Sequence, residues 1–376
     1  MATAYEGGYV YAPKAGIHKN IIVLDFKSLY PSIIITHNID KSTLGCKHKS
    51  CKKNCDPQFK ICFCTQKEGK IPKRLKKMLS DRADIKKKLR SKKLSKKERE
   101  KLDKKQRQLK LAANITYGYF GYPNSPYYDV KIAESIASFG RHYIKSVISK
   151  AQKQGFEVLY GDTDSIFIKG SQKKAREFLK KINKWLPGII ELEWEGVFKR
   201  GIFVTKKSGE GAKKKYALMD SKGNLLVRGF EVRRGDWCDL AKKTQEKILK
   251  LILQEKNKQA IKYAKDVITD VEKGKFKLKD LIITVQLARP LSKYKAIGPH
   301  VIAAKKMIEL GHDVKEGMMI KFIITNKKGS ISQRAEPASE VKKSQVDKEY
   351  YINNQLIPSM LRVLSILDVT EKDLRK

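Results

Sequence analysis

Acidic residues are scarce in this chain. Its 40 Asp and Glu stand against 82 Lys and Arg, a formal charge of +42 over 376 residues, far more than solubility requires, so the natural partner is a polyanion. A compositional drift toward lysine and isoleucine explains part of that excess but not its concentration between Lys67 and Lys110. Long apolar runs are missing too, which argues against a membrane span. The polar start running into Tyr5-Glu6-Gly7-Gly8 carries no signal-peptide pattern, so the expectation is a cytoplasmic protein without membrane contact. No internal repeat is present, which argues against a solenoid or propeller. Hydrophobic content of 41% is ordinary for a folded chain of two or three domains.

Cysteine is absent from most of the chain. Five of the six cysteines, Cys46, Cys51, Cys55, Cys62 and Cys64, fall between Gly45 and Gly69 together with His48. Their spacing gives no paired C-x2-C ribbon. In an intracellular protein such clustering points to Zn²⁺ or, in a hyperthermophile, to disulfides.

The centre of the sequence is Tyr160-Gly161-Asp162-Thr163-Asp164-Ser165. Apolar residues with strand-like alternation run into it (Phe156 to Leu159) and out of it (Ile166 to Ile168), which predicts a β-hairpin with this stretch at its tip. Asp162 and Asp164 two residues apart repel each other unless a cation lies between them, and hard oxygen ligands suit Mg²⁺. An Asp-rich surface hairpin is the plainer alternative. A third carboxylate, Asp25, ends the core-strand run Ile21-Ile22-Val23-Leu24, a position that chemistry uses and packing does not need. The turn that follows predicts exposed N–H groups at Ser28 and Leu29, an anion cradle.

Elsewhere, Tyr5-Glu6-Gly7-Gly8-Tyr9-Val10 joins two glycines, suited to close backbone approach, to a strand pattern. Lys70 to about Lys93 reads as one helix and Ser95 onward as another, with Ser95 and Glu98 forming a capping box. The pair makes a helical hairpin on which Arg82 and Lys86 share one face and Lys110, Asn114 and Tyr117 another, both able to converge on a phosphate-bearing ligand. The remaining lysines read as a solvated or DNA-attracting surface. Ile132 to Lys150 reads as a helix, and Pro187 to Glu195 as a strand with Glu191 and Glu193 on one face. Lys206-Lys207 and Lys213-Lys214-Lys215-Tyr216 bracket a loop from Ser208 to Ala212. From Asp236 onward helical patterns dominate (Leu240 to Gln254, Ala260 to Val271, Val301 to Leu310, Tyr350 to Leu367), giving a separate, mainly helical C-terminal domain.

Three motifs in this order, Asp25-Phe26-Lys27-Ser28-Leu29-Tyr30-Pro31-Ser32-Ile33-Ile34, Lys110-Leu111-Ala112-Ala113-Asn114-Ile115-Thr116-Tyr117-Gly118 and Tyr160 to Ser165, resemble those of the archaeal family B DNA polymerases. The likeness extends to Tyr5-Glu6-Gly7-Gly8, Lys213 to Tyr216, Arg289-Pro290-Leu291 and Tyr294 to His300. It implies an α+β fold of right-hand form: palm in 1–44 and 122–235, a Cys-rich insert in 45–69, helical-hairpin fingers in 70–121 and a mainly helical thumb in 236–376. It implies a DNA-directed DNA polymerase acting in replication on primer-template DNA and deoxynucleoside triphosphates. Two Mg²⁺ ions, replaceable by Mn²⁺, would be held by Asp25, Asp164, Asp162 and the Phe26 carbonyl. Arg82, Lys86 and Lys110 would neutralise the triphosphate, and Ser28, Leu29 and Asn114 would position it. Tyr30 would exclude a 2′-hydroxyl and Tyr117 would pack near the nascent base pair. Lys214, Lys215 and Tyr216 would track the minor groove. For Glu191 and Glu193 an accessory-metal role and a structural one stand level.

The resemblance also implies departures. The family's N-terminal and exonuclease domains have no counterpart, so proofreading is expected to be absent and a second polypeptide, or the rest of a longer chain, to supply it. The chain stops at Leu374-Arg375-Lys376, ahead of the tail where relatives carry a sliding-clamp peptide, so clamp binding is not expected. Hyperthermophile relatives place one disulfide near the insert, and Cys46 with Cys64 match it by position. Two rivals remain. A reverse transcriptase would have adjacent aspartates, which Thr163 separates; a non-catalytic DNA-binding or scaffold subunit would be expected to lose a metal ligand, and all three aspartates are present.

Overall fold

A computed structural model describes residues 5–91, 94–206 and 209–375. Lys93, Lys207, Ser208 and Lys376, which enter the readings above, lie outside the described residues. The chain forms two compact units, the first of residues 1–14 and 20–197, the second of residues 15–19 and 198–376. Both mix helices and antiparallel strands.

In the first unit, β1 (Val10–Tyr11), β2 (Gly16–Phe26), β3 (Glu157–Asp162) and β4 (Ser165–Lys169) pair antiparallel in the order β1-β3-β4-β2. The predicted hairpin is β3–β4, closed by Thr163 in the left-handed region at φ 47°. Ile21 to Leu24 are all buried in β2, so this strand is packed on both faces and reads as an unbroken apolar run. Against the sheet lies α4 (Val130–Lys153), whose buried Ile132, Ile136, Phe139, Tyr143 and Val147 recur at helical spacing. Asp129 caps it, accepting from the Ile132 N–H at 3.3 Å. Burial of each such side chain stabilises by about 1.5–3 kcal/mol.

The short helix α1 (Leu29–Thr36) follows β2 directly. Helices α2 (Lys70–Leu89) and α3 (Lys96–Gly121) form the expected hairpin, antiparallel because Arg82 reaches Gln106 (3.3 Å) and Arg99 reaches the Leu89 carbonyl (2.8 Å). The Ser95–Glu98 capping box is made in both directions. Helix α5 (Gln172–Trp185) completes this unit. The strand expected from Pro187 begins instead at Leu192, since Gly188 (φ 57°) and the Ile190-to-Pro187 hydrogen bond make a turn there; β5 then runs on to Thr205.

In the second unit, β5, β6 (Gly211–Met219) and β7 (Leu225–Arg228) form an antiparallel meander. Ala212, expected in a loop, therefore sits in β6. Helices α6 (Asp239–Leu253), α7 (Asn257–Glu272) and α8 (Pro299–Glu309) meet the helical expectation. The last expected helix is divided: α9 (Lys348–Tyr350) continues through a π-helical turn, Tyr351–Leu356, into α10 (Ile357–Leu364), and α11 (Glu371–Arg375) ends the described chain. Among them lies an unexpected three-stranded sheet of β8 (Ile283–Gln286), β9 (Met319–Ile324) and β10 (Ala335–Pro337). Each unit has its own core, around Ile136 and Ile166 in the first and around Ile248 and Met360 in the second.

Candidate active site

Strand pairing brings the carboxylates of the first unit together. Asp25 lies opposite Ser165 in the β2–β4 ladder, and the Phe26 N–H donates to the Asp164 carbonyl at 2.7 Å. The end of the buried run of β2 and the tip of the hairpin thus lie side by side. Asp162 ends β3, and the Thr163 N–H donates to the Tyr9 carbonyl (3.0 Å), tying the N-terminal segment to the tip.

The Asp25 carboxyl is pushed up to about 7, first by burial and then by repulsion from Asp164, Glu195 and Glu193, against which Lys110 pulls it down. A carboxyl so strained by like charges beside an all-oxygen donor set fits a hard divalent cation, which would relieve the repulsion. Glu195 is the residue that sequence reasoning passed over. The signal was present: Glu191, Glu193 and Glu195 alternate with Leu192 and Trp194, and period two puts all three on one face. Glu191 and Glu193 instead hold Lys27, whose ammonium lies 3.0 and 3.5 Å from them.

Beside the carboxylates opens a cleft of 810 Å³ lined by Lys27, Ser28, Arg82, Lys86, Lys87 and Arg90 among others. Arg82 and Lys86 therefore do share a surface with Ser28, and Lys87 and Arg90 add to its positive charge. Ser28 takes a left-handed conformation (φ 49°) and makes no side-chain cap on α1, so the Leu29 and Tyr30 N–H groups at the start of the helix, ahead of Pro31, are left uncapped by it. Lys110 and Asn114 are exposed on α3.

Tyr30 and Tyr117 stack at 4.2 Å and 18°, and Tyr5 meets Tyr117 edge-on at 6.5 Å. A Cβ on Gly140 would come 3.1 Å from the Tyr30 ring, and one on Gly8 would come 2.8 Å from its hydroxyl and 2.7 Å from Thr163. These glycines let the backbone press against the aromatic pair, and burial raises the Tyr30 phenol to about 12.

Lys214, Lys215 and Tyr216 belong to the second unit. Lys214 is exposed, whereas Tyr216 is buried and Lys215 turns inward to Glu231 at 3.0 Å. Glu231 is wholly buried and also accepts from Gln245 at 2.7 Å. Burial pushes its carboxyl up, but the hydrogen bonds from Gln245 and Lys215 outweigh this and hold it below the usual range.

The cysteine segment departs from expectation. Cys46 and Cys64 are not bridged; the disulfide joins Cys55 to Cys62, which face each other in a short antiparallel bridge that brings their β-carbons within bonding reach. Cys46, Cys51 and Cys64 are free thiols converging on His48.

The chain is similar to known DNA polymerases. The chain is 42% identical over 387 residues to a DNA polymerase of Pyrococcus glycovorans and 43% identical over 386 residues to DNA polymerase 1 of Pyrococcus abyssi, in each case covering 100% of this chain and 49% of the relative. It superposes on the family B DNA polymerase of the hyperthermophilic archaeon Pyrobaculum calidifontis with a TM-score of 0.70 at 34% identity, over 99% of this chain and 48% of the other. The chain thus spans about half the length of the relatives it matches. The model of the family described as "DNA polymerase family B" matches residues 1–367, and with this coverage the chain belongs to DNA polymerase family B.

Proposed function

We propose that the chain catalyses template-directed addition of deoxynucleotides to a primer 3′-hydroxyl. The observation that carries this reading is the apposition of Asp25 with the Asp162–Asp164 hairpin beside a basic cleft, in a chain of this family. In the right-hand division, residues 1–44 and 122–235 are palm, 70–121 fingers and 236–376 thumb. Asp25, Asp164, Asp162 and the Phe26 carbonyl would hold two Mg²⁺ ions. Bound there, the ions would acidify the primer hydroxyl and neutralise charge on the triphosphate.

The chain's own residues do the remainder. Arg82, Lys86 and Lys110 neutralise the triphosphate, with Lys87 and Arg90 extending the same positive field. The Ser28 and Leu29 amides and the Asn114 side chain orient it. Tyr30 is held by stacking on Tyr117 and by the close Gly140 backbone, so its ring cannot retreat from an added 2′-hydroxyl. Lys214 faces the DNA backbone while Lys215 and Tyr216 fix its strand from behind.

Primer extension by the purified chain with and without Mg²⁺ tests this, with Asp25→Ala and Asp164→Ala alongside. A thousandfold loss in either variant, equivalent to about 4 kcal/mol of transition-state stabilisation, with DNA affinity nearly kept, is the expected result. Wild-type extension by both variants overturns the metal assignment; an inactive wild-type chain that still binds primer-template favours a non-catalytic subunit.

A further inference from the structure

Outside the catalytic centre, one set of side chains among the described residues draws four ligand atoms together: Cys46, His48, Cys51 and Cys64 lie with Sγ and Nδ1 atoms all within 4.8 Å of one another. Nothing in polymerisation uses them. We propose that these four residues form a closed structural Zn²⁺ site, and that the Cys55–Cys62 disulfide is a separate clasp within the loop the metal closes.

The spacing of the four atoms is close to that of a tetrahedral site. With Zn–S about 2.3 Å and Zn–N about 2.0 Å, tetrahedral angles place sulfur and nitrogen ligands about 3.5 Å apart. The His48 Nδ1 lies 3.6 Å from Cys64 Sγ, 3.9 Å from Cys51 Sγ and 2.9 Å from Cys46 Sγ. The first is close to this spacing, the second has to shorten slightly and the third has to open, and Cys46 and His48, whose contact opens, are the two members not buried. Three thiolates and one imidazole select a soft or borderline cation over Mg²⁺. All four positions are taken by protein, which leaves no open position for catalysis.

The buried sulfurs have polar neighbours. The Thr65 N–H donates to Cys51 Sγ at 3.3 Å, and the Thr65 hydroxyl lies at the same distance. Such N–H···S contacts orient metal-bound sulfurs and spread their charge. The ligands also come from both ends of the segment: Cys46, His48 and Cys51 from its start, Cys64 from its finish. Between them the segment has little apolar anchorage beyond the buried Phe63 and the half-buried Ile61, so a metal supplies folding free energy that packing does not.

The site has a second consequence. Asn38 donates to the carbonyls of Cys64 (2.6 Å) and Lys67 (2.7 Å) and accepts from the Gly69 N–H (2.8 Å), and Asp40 accepts from the Ile71 N–H (2.8 Å). Cys64 is thereby linked through Asn38 to Gly69 at the start of α2, the helix that carries Arg82 and Lys86. The metal fixes where that helix begins.

Metal analysis of the chain purified under anaerobic, chelator-free conditions tests the proposal. The expected result is about one zinc per chain. Replacement by Co²⁺ should give the intense sulfur-to-cobalt charge-transfer and tetrahedral ligand-field bands of a thiolate site. Cys64→Ser and the surface variant His48→Ala should each lose at least tenfold in zinc affinity, measured by competition with a chromogenic chelator, while Cys55→Ser/Cys62→Ser keeps full zinc content. His48→Ala, at an exposed position, keeps the test decisive if Cys64→Ser fails to fold. A chain without zinc that gives no thiolate bands with Co²⁺ overturns the site. So does oxidation of any pair among Cys46, Cys51 and Cys64 in the anaerobic preparation, or loss of zinc in the Cys55→Ser/Cys62→Ser variant equal to that in Cys64→Ser.

Discussion

Replacing Lys215 by methionine keeps most of the side-chain volume and removes the ammonium, and the structure makes the consequence calculable. Glu231 is wholly buried, and its carboxylate is satisfied by Lys215 at 3.0 Å, Gln245 at 2.7 Å and Arg362 at 3.5 Å. Breaking a buried ion pair from one side costs about 3–5 kcal/mol, because the remaining charge stays out of water without its partner. Arg362 is still within reach of the carboxylate, which puts the expected cost at about 3 kcal/mol. For a folding unit of this size each kcal/mol lowers Tm by roughly 2–4 °C, so Lys215→Met should fall by roughly 6–12 °C. Thermal and urea unfolding at pH 7 measure this directly. The double variant Lys215→Met/Glu231→Gln should recover much of the loss, because the uncompensated charge is gone. A side chain serving only as a phosphate contact would behave differently, weakening DNA binding and its salt slope with no change in Tm. An unchanged Tm in Lys215→Met would refute the inward role.

Three further outcomes are expected. His37 donates from Nδ1 to Asn54 (2.7 Å) and accepts from the Tyr143 hydroxyl (2.6 Å), and burial lowers it to about 4. Because the unfolded imidazole titrates near 6.5, the unfolded state binds more protons between those values. About 3 kcal/mol of stability, complete above pH 6.5, is therefore lost as pH falls toward 4. His37→Gln should flatten denaturation midpoints across that window, and an equal slope in both proteins counts against the assignment. Gly229 has φ +67°, and a Cβ there would lie 2.0 Å from the Lys214 carbonyl oxygen; Gly229→Ala should cost roughly 2–4 kcal/mol in urea unfolding, and an unshifted midpoint would show that the Lys214 backbone yields freely. Tyr30→Ala should admit ribonucleotides in primer extension, and unchanged discrimination would remove Tyr30 as the gate.

The sequence by itself determined much of the first unit. Period-two apolar runs around Tyr160 to Ser165 pointed to a hairpin, the run Ile21 to Leu24 to a buried strand delivering Asp25, and Ser95 with Glu98 to a helix start. These features are local: a few adjacent residues carry both the pattern and its physical reason. Other features had no local statement. Glu195 joined the site because a strand that starts at Leu192 runs on to Thr205. The strands β8, β9 and β10 are short, and β8 pairs with β9 across a long stretch of chain whose helical periodicity obscured it. The inward turn of Lys215 could not be read from its neighbours, since its partner Glu231 comes from another element. Among five cysteines and one histidine, composition could say only that a cross-link was due. Which two residues bond to each other, and which four surround a common point, is a matter of how the backbone brings β-carbons together in space, and that only the tertiary structure decided.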